Sequence, residues 1–462
     1  MSGLLPRDPA LPQLAQALDP QAMAQAFGAA LSGIQVQSCR VDRVKYRPSR
    51  NCSVSYVLTL RDEQRGRDFE QRVAARFCTS GGARLRQLKA VGRATLASTA
   101  GPALLHLPAL DMLAHWLPND AKLDALSVLY DEACLRNHCL NKVVAALTAG
   151  RGKLVDFGLH LVQYVPEHRA CARVELRFQS EPGAAVTSQT LYVKTEAERR
   201  GAVTHALMQA LHASSAQANG QLRTPQSVLW QETAGLHWQL AAPGIALLDV
   251  DPRVGTAMSA RVGKQLAALH ETTVPASRIW TPEAIHEQPR SVASLLGTVD
   301  PAWIPLLTRL VSRLGTGASK LAREPLRTLH GDLHPRNILV DGEQHTFIDL
   351  DNAHRGPAVI ELGAWVADAI YRVVLDDVDS RRAAPSWQAF LAAYADTSGS
   401  PLDASLLAWC TAHNLLCTRA YRCVSNLKPG RFEAVPKLLA LADAIAHAGT
   451  VDAAMHFAPE PA

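Results

Sequence analysis

Between Leu329 and Pro357 the chain reads LHGDLHPRNILVDGEQHTFIDLDNAHRGP. HGDLHPRN is a polar turn, Ile338 to Val340 a short strand, Asp341-Gly342 a hairpin turn, and Thr346 to Leu350 the expected returning strand. Such a hairpin brings Asn337 and Asp349 to one end, and Asp332 reaches the same space from the loop. Two carboxylates and an amide placed like this suit phosphoryl transfer. The moving group carries concentrated negative charge, so a hard cation such as Mg²⁺ must bridge its oxygens, and such cations take carboxylate and amide oxygens. A separate carboxylate must orient the attacking hydroxyl and take its proton. Asp332 fits the base; Asn337 and Asp349 fit the metal ligands.

Singly, each of these residues reads as an ordinary turn former, since Asp and Asn favour turns. Together with His330, Gly331, His334 and the IDLD strand they read as one constellation. His330 and His334 are expected to hold the loop by hydrogen bonds, and Asp351 to cap the strand end. A hydrolase metal site built on HGDLH lacks a further His/Asp pair at ligand spacing.

The elements that must position these residues change character along the chain. Around Tyr46 it reads KYRPSRNCSVSYVLTL, and around Tyr164 it reads QYVPEHRACARVELRF. Each places a Tyr-x-Pro turn between runs of alternating apolar residues, which predicts two hairpins built alike. Each is followed by a further strand, VAARF ending near Phe77 and LYVKT ending near Thr195, and then by a helix-like stretch. Arg76 and Lys194 fall at matching points of this degenerate repeat. The segment from His115, HWLPNDAKLDALSVLYD, predicts a turn before an amphipathic helix, and HWQLAAPGIALL breaks at Pro243-Gly244 as a hinge would. Beyond it the pattern is helical: Val262, Leu266 and Leu269 share one face, as do Leu406, Cys410, Cys417 and Val424. RRAAPSW reads as a loop, and the FAPEPA end as frayed. Strands first and helices afterwards predict an α+β protein in two lobes.

HGDLHPRN followed by FIDLD resembles the catalytic and metal-binding motifs of the aminoglycoside phosphotransferase family, relatives of the protein kinases. The resemblance spans roughly residues 150 to 450 and is specific at the HGD block. It implies a protein-kinase-like bilobal fold with ATP (or GTP) and Mg²⁺. Asp332 is then the base, Asn337 and Asp349 the magnesium ligands, and Lys194 at the end of LYVKT the phosphate-neutralising lysine. LAALHE, from Leu266, resembles the helix before the catalytic loop. The expected organisation is an N-terminal extension with the degenerate repeat (1–150), a sheet-rich N-lobe (151–242) and a helical C-lobe (243–462). The chain departs from the family pattern at four places. Arg336 stands where the family has glycine, and Glu361 where it has aspartate. Thr204 falls where the lysine's glutamate partner is expected, and the hairpin QYVPEHRAC has no glycine, so Arg169 or His168 is expected to meet phosphate there. The last two departures keep a second reading open, a pseudokinase scaffold.

Composition narrows the partners. Lys plus Arg exceeds Asp plus Glu by only five, with no basic run, which argues against nucleic acid. No apolar run of about 18 residues predicts a membrane span. The start of the chain has no signal-peptide pattern, and the nine cysteines form no CxxC pair, as a cytoplasmic protein would allow. The resemblance implies a small hydroxyl-bearing acceptor, a sugar, an aminoglycoside-like compound or an amino-alcohol, whose identity the pattern does not give. Asp376, Asp377 and Asp379 are candidates for attracting a cationic one, and a solvated charged loop explains them as well.

Overall fold

The computed structural model describes residues 5–62, 66–90, 95–98, 101–251, 255–275, 278–315, 317–376 and 383–456. The chain divides into two compact units. One comprises Met1–Ala202, Val228–Leu240 and Ser425–Pro429; the other comprises Val203–Ser227, Ala241–Val424 and Gly430–Ala462.

The first unit is built on two five-stranded sheets. β1 (Ile34–Arg47), β2 (Asn51–Asp62) and β3 (Arg67–Cys78) are followed by a helix, Gly82–Ala90, and then by β4 (Leu104–Leu107) and β5 (Met112–Trp116). The order across this sheet is β1-β2-β3-β5-β4. The second sheet comprises β6 (Lys153–Val165), β7 (Arg169–Gln179), β8 (Val186–Glu196), β9 (Ser227–Gln231) and β10 (Leu236–Leu240), in the order β6-β7-β8-β10-β9. Both thus have the same order. Alternation explains the strands: on β7, Ala170, Ala172, Val174, Leu176 and Phe178 are buried while Arg173, Glu175 and Arg177 face out. The inward set packs with Leu191, Val193 and Trp238 and with Leu135, Leu140 and Val144 from the preceding helical segment.

Both Tyr-x-Pro hairpins form, and both turn through a left-handed residue that is not glycine, Ser49 (φ 55°) and Glu167 (φ 59°). Each turn is clasped by an aspartate. Asp8 accepts from the Tyr46 hydroxyl and the Ser49 N–H, both at 2.8 Å. Asp120, of the PND segment, accepts from the Tyr164 hydroxyl at 2.6 Å and the Glu167 N–H at 3.0 Å. The Glu167 side chain is tied to Arg76 of β3 at 2.6 Å and to Arg86 of the helix Gly82–Ala90 at 3.8 Å. Burial alone raises this carboxyl's pKa, but Arg76 and Arg86 pull it below the ordinary range.

The second unit is mostly helical. The helix Gly255–Glu271 buries Val262, Leu266 and Leu269, as the apolar spacing predicts, and lies against the helix Ala384–Ser398. Gly263 allows this approach, because a Cβ there would run into the Phe390 carbonyl oxygen. Trp365 of the helix Ala358–Leu375 stacks on Phe390 with ring centroids 4.9 Å apart. RRAAPSW is not a loop as expected: Pro385 sits in the first turn of Ala384–Ser398, where its missing N–H removes no helical hydrogen bond. Arg381 and Arg382 lie outside the described residues, as do the FAPEPA end, Asp377 and Asp379. Cys410 and Cys417 are buried, which suits core packing. No helix among the described residues is long and apolar enough to cross a membrane.

Five short strands carry the site in this unit. β11 (Ile245–Ala246) pairs with β13 (Ile338–Asp341), which pairs with β14 (Gln344–Phe347); β12 (Leu326–Leu329) pairs with β15 (His354–Pro357). The β13–β14 hairpin turns at Gly342, as DG predicts. The returning strand is shorter than expected. It stops at Phe347, and Asp349 takes a left-handed conformation (φ 65°) at the entry to a 3₁₀ turn, Leu350–Asn352.

Candidate active site

Three of the five singled-out residues gather on one loop cluster. HGDLHPRN runs from β12 into β13 through a 3₁₀ turn at Pro335–Asn337, with the Asn337 N–H on the His334 carbonyl at 2.8 Å. Asn337 then ties the cluster together. Its Nδ2 donates to the Asp332 carbonyl at 2.9 Å, and its own carbonyl accepts from the Ile348 N–H at 2.9 Å. His330 holds the same junction from below, with Nε2 2.9 Å from the Ile348 carbonyl. Asp349 follows directly. Its left-handed backbone is unfavourable for a residue with a Cβ, and such conformations persist where the surrounding structure over-determines them.

The donor set fits a magnesium ion. Asn337 spends Nδ2 inside the loop, so Oδ1 is the atom it would offer a cation, and Asp349 would offer a carboxylate. Two hard oxygen donors, with the remainder supplied by phosphate and water, are what Mg²⁺ takes. Among the described residues no group of three or more His, Cys, Asp and Glu side chains makes an all-protein metal site. Asp351 lies in the 3₁₀ turn beyond.

The backbone of the loop is anchored by Glu361, from the helix Ala358–Leu375. Its Oε2 accepts from the His330 N–H at 2.9 Å and from His270 Nε2 at 3.0 Å, and its Oε1 accepts from the Gly331 N–H at 2.8 Å. His270 in turn meets the Tyr394 hydroxyl through Nδ1 at 2.9 Å. Burial pushes the Glu361 carboxyl up, but His270 and the His330 contacts outweigh it and hold the group below the usual glutamate range. Gly331 is required here: at φ 84° a Cβ would collide with the Asn352 carbonyl.

Asp332 itself is largely covered and faces Arg422, whose Nη2 lies 3.4 Å from Oδ1, while His334 Nε2 lies 4.0 Å from Oδ2. His334 is held below the usual histidine pKa by burial, which outweighs the opposite pull of Asp332 and Asp368. Asp368 is buried between Arg372 at 2.6 Å and Arg419 at 2.9 Å. Burial raises its pKa, and the two guanidiniums more than reverse that.

The other two candidates lie in the sheet unit. Lys194 sits on the central strand β8, opposite Cys171 on β7 and His237 on β10. Arg169 opens β7 opposite Glu196, which places it on the same face of the sheet as Lys194. Glu196 and Glu198 both pair with Arg200, at 3.3 and 3.2 Å. Thr204 is buried within the helix Gly201–His212.

Sequence reasoning missed His270, Asp368, Arg419 and Arg422, and it saw Glu361 only as a departure from a pattern. The single available signal was LAALHE, whose histidine is the one that meets Glu361.

A lysine-bearing antiparallel sheet is followed in the chain by an Asp-x4-Asn loop and a left-handed Asp. Residues 187–399 match the model of the phosphotransferase enzyme family. Among solved structures, the aminoglycoside phosphotransferase APH(4)-Ia is 16% identical, with 67% of this chain and 98% of that one covered and a TM-score of 0.43. The choline kinase LicA from Streptococcus pneumoniae is 12% identical, with 66% and 98% covered and a TM-score of 0.44. The amicoumacin kinase hAmiN is 13% identical, with 69% and 95% covered and a TM-score of 0.44. No curated protein matches.

Proposed function

We propose that this chain transfers the γ-phosphoryl of a magnesium nucleotide, ATP or GTP, to a hydroxyl of a small-molecule acceptor. The observation that carries the reading is the Asp332–Asn337–Asp349 cluster, held by the Asn337 amide, the Ile348 N–H and the Glu361 carboxylate. A loop fixed at so many points suits a reaction that asks the protein mainly for positioning and charge.

In the proposed reaction Asp332 orients the acceptor hydroxyl and takes its proton. The acceptor oxygen bonds to the γ-phosphorus as the bond to the β,γ-bridging oxygen breaks, and the nucleoside diphosphate leaves. Lys194 and Arg169, on one sheet face, neutralise phosphate charge. Asn337 Oδ1 and the Asp349 carboxylate would hold Mg²⁺, which neutralises phosphate oxygens when bound. The common strand order and the matching aspartate clasps support reading the first sheet as a diverged copy of the second.

The direct test is transfer of label. The purified chain, given γ-labelled ATP or GTP, magnesium and a library of hydroxyl compounds, should move label onto at least one library member at a magnesium-dependent rate. Label released only as inorganic phosphate at the no-enzyme rate, with both nucleotides, would contradict the reading.

A further inference from the structure

The hydroxyl that gives up its proton must lie within hydrogen-bond reach of the group that takes it. If Asp332 is that group, as proposed above, its carboxylate marks where the acceptor sits, and its neighbours are what the acceptor meets. Two of those neighbours, Arg422 and Arg419, are cationic. Arg422 reaches to 3.4 Å from Asp332 Oδ1 and is 43% exposed, so it is open to a ligand. Arg419 lies behind it, buried, and its charge is felt at Asp332. The guanidiniums of Arg419 and Arg431 each lie 5.6 Å from the centre of the Tyr371 ring.

The charges in this patch do not cancel. Arg372 and Arg419 occupy the two oxygens of Asp368. Among the described residues Arg422 pairs with Asp332 alone, and Arg431 meets no carboxylate within ion-pair distance. When an acceptor hydroxyl docks on the Asp332 carboxylate, Arg422 shares that anion, and once Asp332 takes the proton the anion is neutralised. An ammonium group brought there would face two or more fixed cations at short range, whereas a carboxylate or phosphate would find a guanidinium fork shaped to receive it.

We propose that the acceptor is an anionic alcohol, a hydroxyl compound bearing a carboxylate or phosphate group that binds Arg422 while its hydroxyl docks on Asp332. This rests on the reading of Asp332 as the base, and Arg422 is the specificity-determining residue. The sequence leaves the acceptor open and offers Asp376, Asp377 and Asp379 only as candidates for attracting a cationic one.

The test offers four charge classes of acceptor: hydroxycarboxylic acids, sugar phosphates, neutral sugars and amino-alcohols. Label from magnesium nucleotide is expected on the first or second class, and which of the two is labelled identifies the anion. Arg422→Gln should then raise the acceptor KM about tenfold, close to 1.4 kcal/mol, with the nucleotide KM moving less than about twofold. Arg422→Lys should recover part of the acceptor KM, because the positive charge returns without the fork. Label confined to neutral sugars or amino-alcohols overturns the proposal, as does an anionic acceptor whose KM ignores Arg422→Gln. Failure of the underlying reading has a different signature. If Asp332→Asn transfers label as fast as wild type, the base assignment falls, whatever the acceptor's charge.

Discussion

Asp332→Asn is expected to lower turnover by about 10²- to 10⁴-fold, the usual contribution of a positioned general base. The substitution keeps the shape of the side chain and leaves the backbone carbonyl that accepts from Asn337 Nδ2, so the loop should keep its course. Binding of magnesium nucleotide should therefore stay within a few-fold of wild type, and the loss should fall on kcat. Single-turnover label transfer with the identified acceptor, beside nucleotide titration, separates the two. Equal transfer by wild type and variant would remove Asp332 from the mechanism.

Glu361→Gln is expected to be the most damaging substitution for stability. The carboxylate receives three hydrogen bonds from three donors, the His330 N–H, the Gly331 N–H and His270. A glutamine offers one oxygen and turns an NH₂ toward donors, so at least one buried N–H goes unpaired. Removing one partner from a buried charged network costs about 3–5 kcal/mol, a large share of a domain's stability. The sign of the pH dependence follows from the depressed carboxyl. A group whose folded pKa lies below its unfolded value stabilises fully above the unfolded pKa, and that contribution is lost as pH falls through the folded value. Urea unfolding of wild type and Glu361→Gln should thus show the widest gap at neutral pH and a narrowing gap below about pH 4. A gap that stays constant on acidification would contradict the anchoring role. The helix bearing Glu361 also presents Asp368 to Arg419, so loosening the loop should lower turnover as well as stability.

The cluster was legible because its members are near in sequence. Asp332, Asn337 and Asp349 share one loop and one hairpin, so local turn chemistry alone brings them together. The anchors were not, because they arrive from distant helices. Glu361 is 31 residues from His330, His270 is 91 from Glu361, and Arg422 is 90 from Asp332. No short-range pattern encodes such pairings. The misjudged return strand has a local cause. Ile348-Asp349-Leu350 alternates as a strand does, yet the Ile348 N–H goes to Asn337 and His330 takes its carbonyl, which turns the chain left-handed at Asp349. QYVPEHRAC makes its expected turn without glycine, because Asp120 takes the Glu167 N–H and Arg76 its carboxylate at the positive-φ position. Pro385 was read as a loop marker when its position was the first turn of a helix. The hairpins were easier, since alternation on β7 and the Tyr-x-Pro turns predict them before any long-range contact is made.

The most direct measurement of the central claim is a thermal-unfolding scan with and without magnesium nucleotide, run on wild type and on Asp349→Ala. A ligand at about one hundred times its dissociation constant stabilises the native state by about 2.7 kcal/mol. The account predicts an upward shift in Tm for wild type with ATP or GTP that requires magnesium and is lost in Asp349→Ala. A wild-type scan unmoved by either nucleotide, or a shift of equal size in Asp349→Ala, would contradict it.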